Sequence, residues 1–325
     1  MDRQIEEIWN LFNSLYPSQE EEQRALSNAP LLAHYTSIDA LEKIVETEEI
    51  WFSNPPFMND LEEVRFGVVQ GSEILRTSDV LLNSLATDVR RAMFTTILNK
   101  YIAQFEQDHL FDTYVFCLSN HDVKDSDGRL SMWRGYGGNG RGAAIIFDTS
   151  KITLLPDSPL IVSRVHYGSA QKRLDWVKDL AKKIAVIISK SQIPDDKIYV
   201  VAKTAFERLK LFALFSKHIG FAEEDEWRIV YMPDRDTTER LKPMMNYKNG
   251  PRGVEPKLRL KLAPLDGVIP NTVTLESIVA KILLGPNSSS VLALRSVSRM
   301  LELLKRPNLV GRLAASSIPL RGATA

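Results

Sequence analysis

Apolar residues recur at Ile5, Ile8, Trp9, Leu11, Phe12, Leu15 and Tyr16. This three-and-four spacing predicts an amphipathic first helix. Residues 17–28 read as a polar connector, and residues 31–35 as a short strand. Thr36-Ser37-Ile38-Asp39 has the form of a capping box that opens a helix over residues 37–47. Residues 50–53 form a strand stopped by Pro55-Pro56, and helical spacing covers residues 59–76 and 80–109. Residues 112–118 are apolar without alternation, as in a strand covered on both faces. A polar loop over 120–129, a short helix over 130–136 and a glycine-rich turn lead into the apolar strand 143–147. Further strands are expected over 161–167, 226–231, 257–262 and 278–284, and further helices over 171–190, 195–217 and 288–305.

Helical segments separate most pairs of strands, and no βαβ rhythm is present. The fold class expected is therefore α+β, with a mixed, mostly antiparallel sheet carrying helical insertions. The layout reads as an N-terminal helix and connector (residues 1–30), a single α+β domain (31–313) and a flexible tail (314–325). The Pro-, Gly- and Asn-rich stretch 233–256 reads as a loop inside that domain.

Composition changes this picture little. The 325 residues are 44% hydrophobic and 25% charged, with 41 basic and 41 acidic side chains. A net charge of zero removes long-range attraction to nucleic acid or anionic lipid, so neither is expected as a partner. Apolar runs are too short to span a bilayer, and the N-terminus has no signal-peptide pattern, so cytoplasmic residence is expected. One cysteine, Cys117, excludes an intramolecular disulfide and reads as packing.

Several motifs are formal matches only. Gly135 to Gly140 spells GxGxxG, but no strand precedes it and no helix follows, so it reads as a turn. Asp122, Asp125 and Asp127 lack calcium-loop spacing, and the five histidines lack zinc spacing. Three stretches carry more. His34-Tyr35-Thr36-Ser37 sits where a strand gives way to a helix, whose unpaired N–H groups can meet an anion or an amide. On structural grounds alone, His34 is an edge residue with a hydrogen bond and Thr36 a cap. In Glu224-Asp225-Glu226-Trp227-Arg228-Ile229-Val230-Tyr231, strand alternation puts Trp227, Ile229 and Tyr231 on one face and Glu224, Glu226 and Arg228 on the other. Glu226 with Arg228 is either an ion pair or a polarising carboxylate. Trp133, Arg134 and Tyr136 beside the glycine turn suit a ligand wall.

Taken in order, His34-Tyr35-Thr36, Trp51-Phe52-Ser53, Asn59-Asp60, Met132-Trp133-x-x-Tyr136, Gly142, Asp148, Lys217 and Glu224-x-Glu226-Trp227-Arg228 resemble a widespread bacterial domain-of-unknown-function family. The resemblance runs over residues 31–232, with Phe221 standing where a Trp is common. A second layout is similar to ADP-ribosyltransferases of the His-Tyr-Glu type: His34-Tyr35-Thr36-Ser37, a helix, Ile50-Trp51-Phe52, and later Glu226-Trp227-Arg228-Ile229-Val230-Tyr231. It implies an ADP-ribosyltransferase-like fold with NAD as substrate. Glu226 and His34 would be catalytic. Tyr35, Thr36, Trp51, Ser53, Trp133 and Tyr136 would hold the cofactor, and Asn59, Asp60, Glu224 and Arg228 would support the acceptor side. Tyr35 stands where that superfamily has Gly, and its second stacking Tyr has no clear match here.

The function expected on this resemblance is an NAD-consuming ADP-ribosyltransferase or NAD glycohydrolase, of the kind found among bacterial toxins and phage-defence effectors. Two alternatives stand beside it: a catalytically inactive nucleotide-binding or regulatory module, and a metal-dependent nuclease built on Asp60, Glu62, Glu224 and Glu226. The partner expected is a nucleotide, with the acceptor macromolecule and homo-oligomerisation left open. The transferase reading requires His34, Glu226 and Trp51 to line one pocket.

Overall fold

Short apolar or alternating runs become strands here, and runs with helical spacing become helices. A computed structural model describes residues 3–58, 61–155, 158–250 and 253–320. Among these, the strands are β1 (Leu31–Thr36), β2 (Glu49–Ser53), β3 (Tyr114–Asn120), β4 (Ala143–Asp148), β5 (Leu160–Arg164), β6 (His166–Gly168), β7 (Ser216–His218), β8 (Glu226–Tyr231), β9 (Met245–Gly250), β10 (Gly253–Lys261), β11 (Val279–Leu284) and β12 (Leu313–Ala315). The residues group into two compact units.

The first unit comprises residues 1–18, 54–113 and 165–222. It is mainly helical, with the helix Ile198–Phe215 at its centre and nearly all of that helix's apolar side chains buried. The helix Leu61–Thr77 lies close against it. A Cβ on Gly67 would meet the Ala213 backbone at 2.7 Å, so only glycine permits this approach there, and one on Gly71 would displace the Leu209 side chain at 2.2 Å. The helical stretch expected over 80–109 is in fact two helices, Asp79–Ser84 and Asp88–Gln104. Ala86 between them has φ +66°, a left-handed conformation that ends the first helix. β6 and β7 pair in parallel in this unit.

The second unit comprises residues 19–53, 114–164 and 223–325, and holds the other ten strands in one sheet. The order is β12-β11-β4-β1-β3-β2-β10-β9, with β8 pairing β3 and β5 pairing β8. Only β11–β12 is parallel, so the sheet is mixed and mostly antiparallel, and the protein is α+β. One edge of β3 pairs with β8 along its length. Its other edge is shared: β1 meets it at Asn120 and Ser119, β2 at Val115.

That sharing opens the sheet between β1 and β2, and the two halves enclose the main core. Leu32, Ile50, Phe52, Phe116, Leu118, Ile145, Trp227, Leu258 and Leu260 face this interior. On the other face, Ala33, Tyr35, Ala144, Ile146 and Leu283 pack with Met132 and Trp133. The glycine turn feeds β4 as expected. Gly142 is pressed against β1, where an added Cβ would sit 2.1 Å from the Thr36 carbonyl oxygen.

Three further elements depart from the sequence expectations. Gln19–Ser27 is a helix where a connector is expected. Its Leu26 joins the core, and tertiary burial outweighs a polar local sequence. Residues 245–250 form β9, paired antiparallel with β10, inside the stretch expected to be loop. β12 places Ala314 and Ala315, at the start of the expected tail, in the sheet. In addition, Ser37 alone caps the helix Ile38–Thr47, accepting from Ala40 N at 3.1 Å. A full capping box is absent, because Ala40 has no side-chain acceptor to return the bond.

Candidate functional site

β8 is organised by the turn before it. Asp225 has φ +42°, which lifts the chain out of the preceding helical turn and starts the strand at Glu226. A clasp holds this corner. Ser119 Oγ donates to the Glu224 carbonyl at 2.6 Å, and Asn120 N donates to the Asp225 carbonyl at 2.9 Å. The Asp225 carboxylate accepts from Asn120 Nδ2 (3.1 Å), Arg129 Nη2 (3.0 Å) and Arg164 Nη2 (2.7 Å). Burial acts to raise the Asp225 carboxyl, but these hydrogen bonds outweigh it and hold the pKa below the ordinary value. Beside it, Tyr136, 42% exposed, donates its hydroxyl to Glu224 Oε1 at 2.9 Å.

Strand register assigns each candidate to a face. Trp227 and Tyr231 lie in the interior core with Ile229 packed on it, so Glu226 and Arg228 face the opposite way, as the alternation implies. Glu224 precedes the strand and belongs to the turn instead. Glu226 is opposite Ser119, and Ser119 is opposite Ala33. Glu226 therefore shares a face with Ala33 and Tyr35, and His34 lies on the other. The half-buried imidazole of His34 stacks on Phe116, a residue of the interior core, at 4.4 Å between ring centroids. The two residues read as catalytic partners thus sit on opposite faces of one sheet. The expectation that they line one pocket is not met, because they fall on strand positions of opposite parity.

His34 has a clear structural task. β1 leaves the edge of β3 after Ala33, and His34 Nδ1 reaches the Cys117 carbonyl at 3.0 Å. A carbonyl only accepts, so Nδ1 carries a proton and donates. Burial lowers its pKa, with the Cys117 bond working the other way.

Glu226 is equally committed. Both carboxylate oxygens meet the Arg228 guanidinium, at 2.8 Å from Nε and 3.1 Å from Nη2. The side chains are 5% and 1% exposed. A carboxylate so paired lends little charge to a developing cation, since the guanidinium neutralises it at contact distance.

The remaining candidates are divided. By register Trp51 and Ser53 share the Glu226 face, since Ser53 is opposite Val115 and Ile50 and Phe52 point inward. Arg259 already covers one face of the Trp51 ring at 4.1 Å, and the indole N–H donates to Glu49 at 3.1 Å. Lys257 Nζ donates to Ser53 Oγ at 3.0 Å. Tyr35 is buried, and its hydroxyl accepts from Arg129 N at 2.9 Å. Trp133 is fully buried against Tyr35, its indole N–H donating to the Asp127 carbonyl at 2.8 Å. It is core, while Tyr136 alone of that cluster's aromatics is exposed. Thr36 lies on the His34 face of β1. Asn59 and Asp60 lie outside the described residues. Among the described residues, no three His, Cys, Asp or Glu side chains are placed to hold a metal ion.

Sequence reasoning missed Asp225, Arg129, Arg164 and Asn120. The signal was faint: Asp225 is the middle member of an acidic triplet, and the other three are ordinary loop and strand-end residues. Asn120 and Arg129 bound the Asp-rich loop, where Asp125 Oδ1 accepts from Asp127 N and Gly128 N at 2.8 and 2.9 Å. Among the described residues, no helix is long and apolar enough to cross a membrane.

Comparison with curated proteins and with solved structures finds no match. Residues 132–229, which carry the Met132-Trp133-x-x-Tyr136 and Glu224-x-Glu226-Trp227-Arg228 motifs, match the model of a family described as a protein of unknown function, DUF2971.

Proposed function

We propose that this chain is a non-catalytic nucleotide-binding or regulatory module. The observation that carries this reading is the state of Glu226: buried, with both oxygens on Arg228, and on the opposite face of the sheet from His34. NAD cleavage needs a carboxylate whose charge strengthens its interaction as the ribose becomes cationic. The Glu226–Arg228 pair serves the strand instead. The polar groups offered to solvent lie at the Asp225 corner, where a half-exposed Tyr136 ring stands beside Glu224, Arg129 and Arg164. Asp225 and Glu224 balance the two arginines. The corner therefore suits a nucleoside, held by stacking and hydrogen bonds, better than a bare phosphate.

Two measurements on one preparation test this. With EDTA present, nicotinamide release from NAD should not exceed a protein-free blank, with or without cell extract as a source of acceptor. NAD or adenosine in excess should raise the melting temperature of the wild type and not of Tyr136→Ala, because a ligand that binds only the folded state stabilises it. Turnover of NAD that disappears in a folded Glu226→Gln variant would reinstate the transferase reading. No thermal shift with either ligand would remove nucleotides from the module.

A further inference from the structure

The interior of the second unit contains a cavity of about 110 Å³, between the half of the sheet around β1, β3, β4 and β8 and the half formed by β2 and β10. Leu32, Leu118, Val162, Ile229, Leu260 and Val268 are among the side chains in its wall. Protein cores are packed as tightly as organic crystals, and voids larger than a water molecule are few. The sharing of the β3 edge gives this one its origin. β1 and β2 meet β3 at opposite ends of the same edge, and Phe116 between them is one of the residues in the wall.

The chemistry of the wall is uniform. The few polar groups in it are largely committed: Thr149 Oγ1 donates to the Ala29 carbonyl at 2.7 Å, and Ser158 Oγ accepts from Leu160 N at 3.2 Å. Among the described residues, no charged side chain lines the space. Thr153 is exposed and also belongs to the wall, which brings that end of the cavity to the surface. A void lined by Leu, Ile and Phe takes benzene or xenon when it is about 150 Å³, and this one has a comparable wall and a smaller volume of about 110 Å³.

We infer that the cavity is a binding site for an uncharged hydrocarbon group, either an aromatic ring or a short alkyl chain entering at Thr153. The site is separate from the Asp225 corner and stands whether or not that corner binds a nucleotide. The ring and the chain share one chemistry, so the test uses a probe for each: benzene, and 1-hexanol, whose hydroxyl would rest at the Thr153 end.

The experiment follows the methyl resonances of the full chain, labelled at Ile, Leu and Val, as each probe is added. The expected result is saturable shifts confined to wall residues such as Leu118, Val162, Ile229 and Val268. Val162→Phe and Val268→Phe each project a ring into the space and should weaken the preferred probe at least tenfold while melting cooperatively. Competition at the same methyls in the wild type provides the readout if both variants fail to fold: excess hexanol should displace benzene, or the reverse. Saturation by benzene alone assigns the site to rings, and by hexanol alone to chains. Non-saturating shifts with both probes, or shifts spread over surface methyls, overturn the inference, as does undiminished binding to a folded filled variant.

Discussion

Arg228 and Glu226 show how one residue's surroundings decide its role. A guanidinium with 1% exposure is stabilised only by its partners, and removing it takes a bidentate cation away from a carboxylate at 5% exposure. Breaking a buried pair in this way costs about 3–5 kcal/mol, whereas replacing both partners by apolar groups of similar volume is far less damaging. Arg228→Met should therefore lower stability by about 3 kcal/mol or more in urea titrations, and Glu226→Leu combined with Arg228→Met should recover part of the loss. Equal stability of the single and double variants would mean that the pair is not coupled. His34 gives a second residue-scale test. Burial lowers its folded pKa below the ordinary value, so the unfolded chain takes up the proton first. Its contribution is fully present above about pH 6.5 and is lost as pH falls toward the folded value. His121 is also lowered, by burial ahead of opposing contributions from Asp125. The slope of stability below about pH 6.5 should be shallower in His34→Asn, and shallower again with His121→Asn added. An unchanged slope in both variants would place the acid sensitivity elsewhere.

Strands with a single period were legible, and elements that depend on a distant partner were not. β1, β2, β3, β4, β8 and β11 announce themselves as short apolar or alternating runs between turn signals. β9, with Met245-Asn246-Tyr247-Lys248-Asn249-Gly250, has mostly exposed side chains and becomes a strand because β10 offers it a ladder. The alternation of β8 correctly separated Trp227 and Tyr231 from Glu226 and Arg228. What local sequence does not contain is the register between β1, β3 and β8, and a one-residue offset exchanges the faces of every side chain. That single missing quantity separated His34 from Glu226. The close approach of Gly142 to β1 belongs to the same scale. Its missing side chain lets the turn lie against the Thr36 carbonyl, and a Cβ there would also come within 2.9 Å of the Gly137 carbonyl oxygen. Both neighbours are backbone and cannot swing away. Gly142→Ala should lower the melting temperature and loosen the end of β4 next to Ala143, seen as faster amide exchange at Ala143 and Ala144. Gly135→Ala, where nothing lies within 4 Å of the added carbon, is the matched control and should change neither.

For the molecule as a whole, the family match and the folding units are different divisions of the chain. Residues 132–229 take β4 and β5 from one unit, the helices Ala170–Lys190 and Ile198–Phe215 from the other, and then return for β8. Both neighbours of β4 in the sheet, β1 and β11, lie outside this stretch, as does β3, the main partner of β8. The helix Ile198–Phe215 would lose Leu61–Thr77 and Asp88–Gln104, and with them the cover over Leu209 and Ala213. Each loss exposes apolar surface at roughly 25 cal/mol per Å² and leaves strand N–H and C=O groups unpaired. A domain has only about 5–15 kcal/mol of net stability to set against such losses. The family-matched segment is thus not a body that folds alone. Expressed by itself, residues 132–229 should give a collapsed amide proton spectrum and no cooperative thermal transition, while the full chain melts cooperatively. A dispersed spectrum with a sharp melt from the fragment would show that β4 and β8 find sufficient partners without β1, β3 and β11, and would contradict the pairing on which the placement of Glu226 and His34 rests.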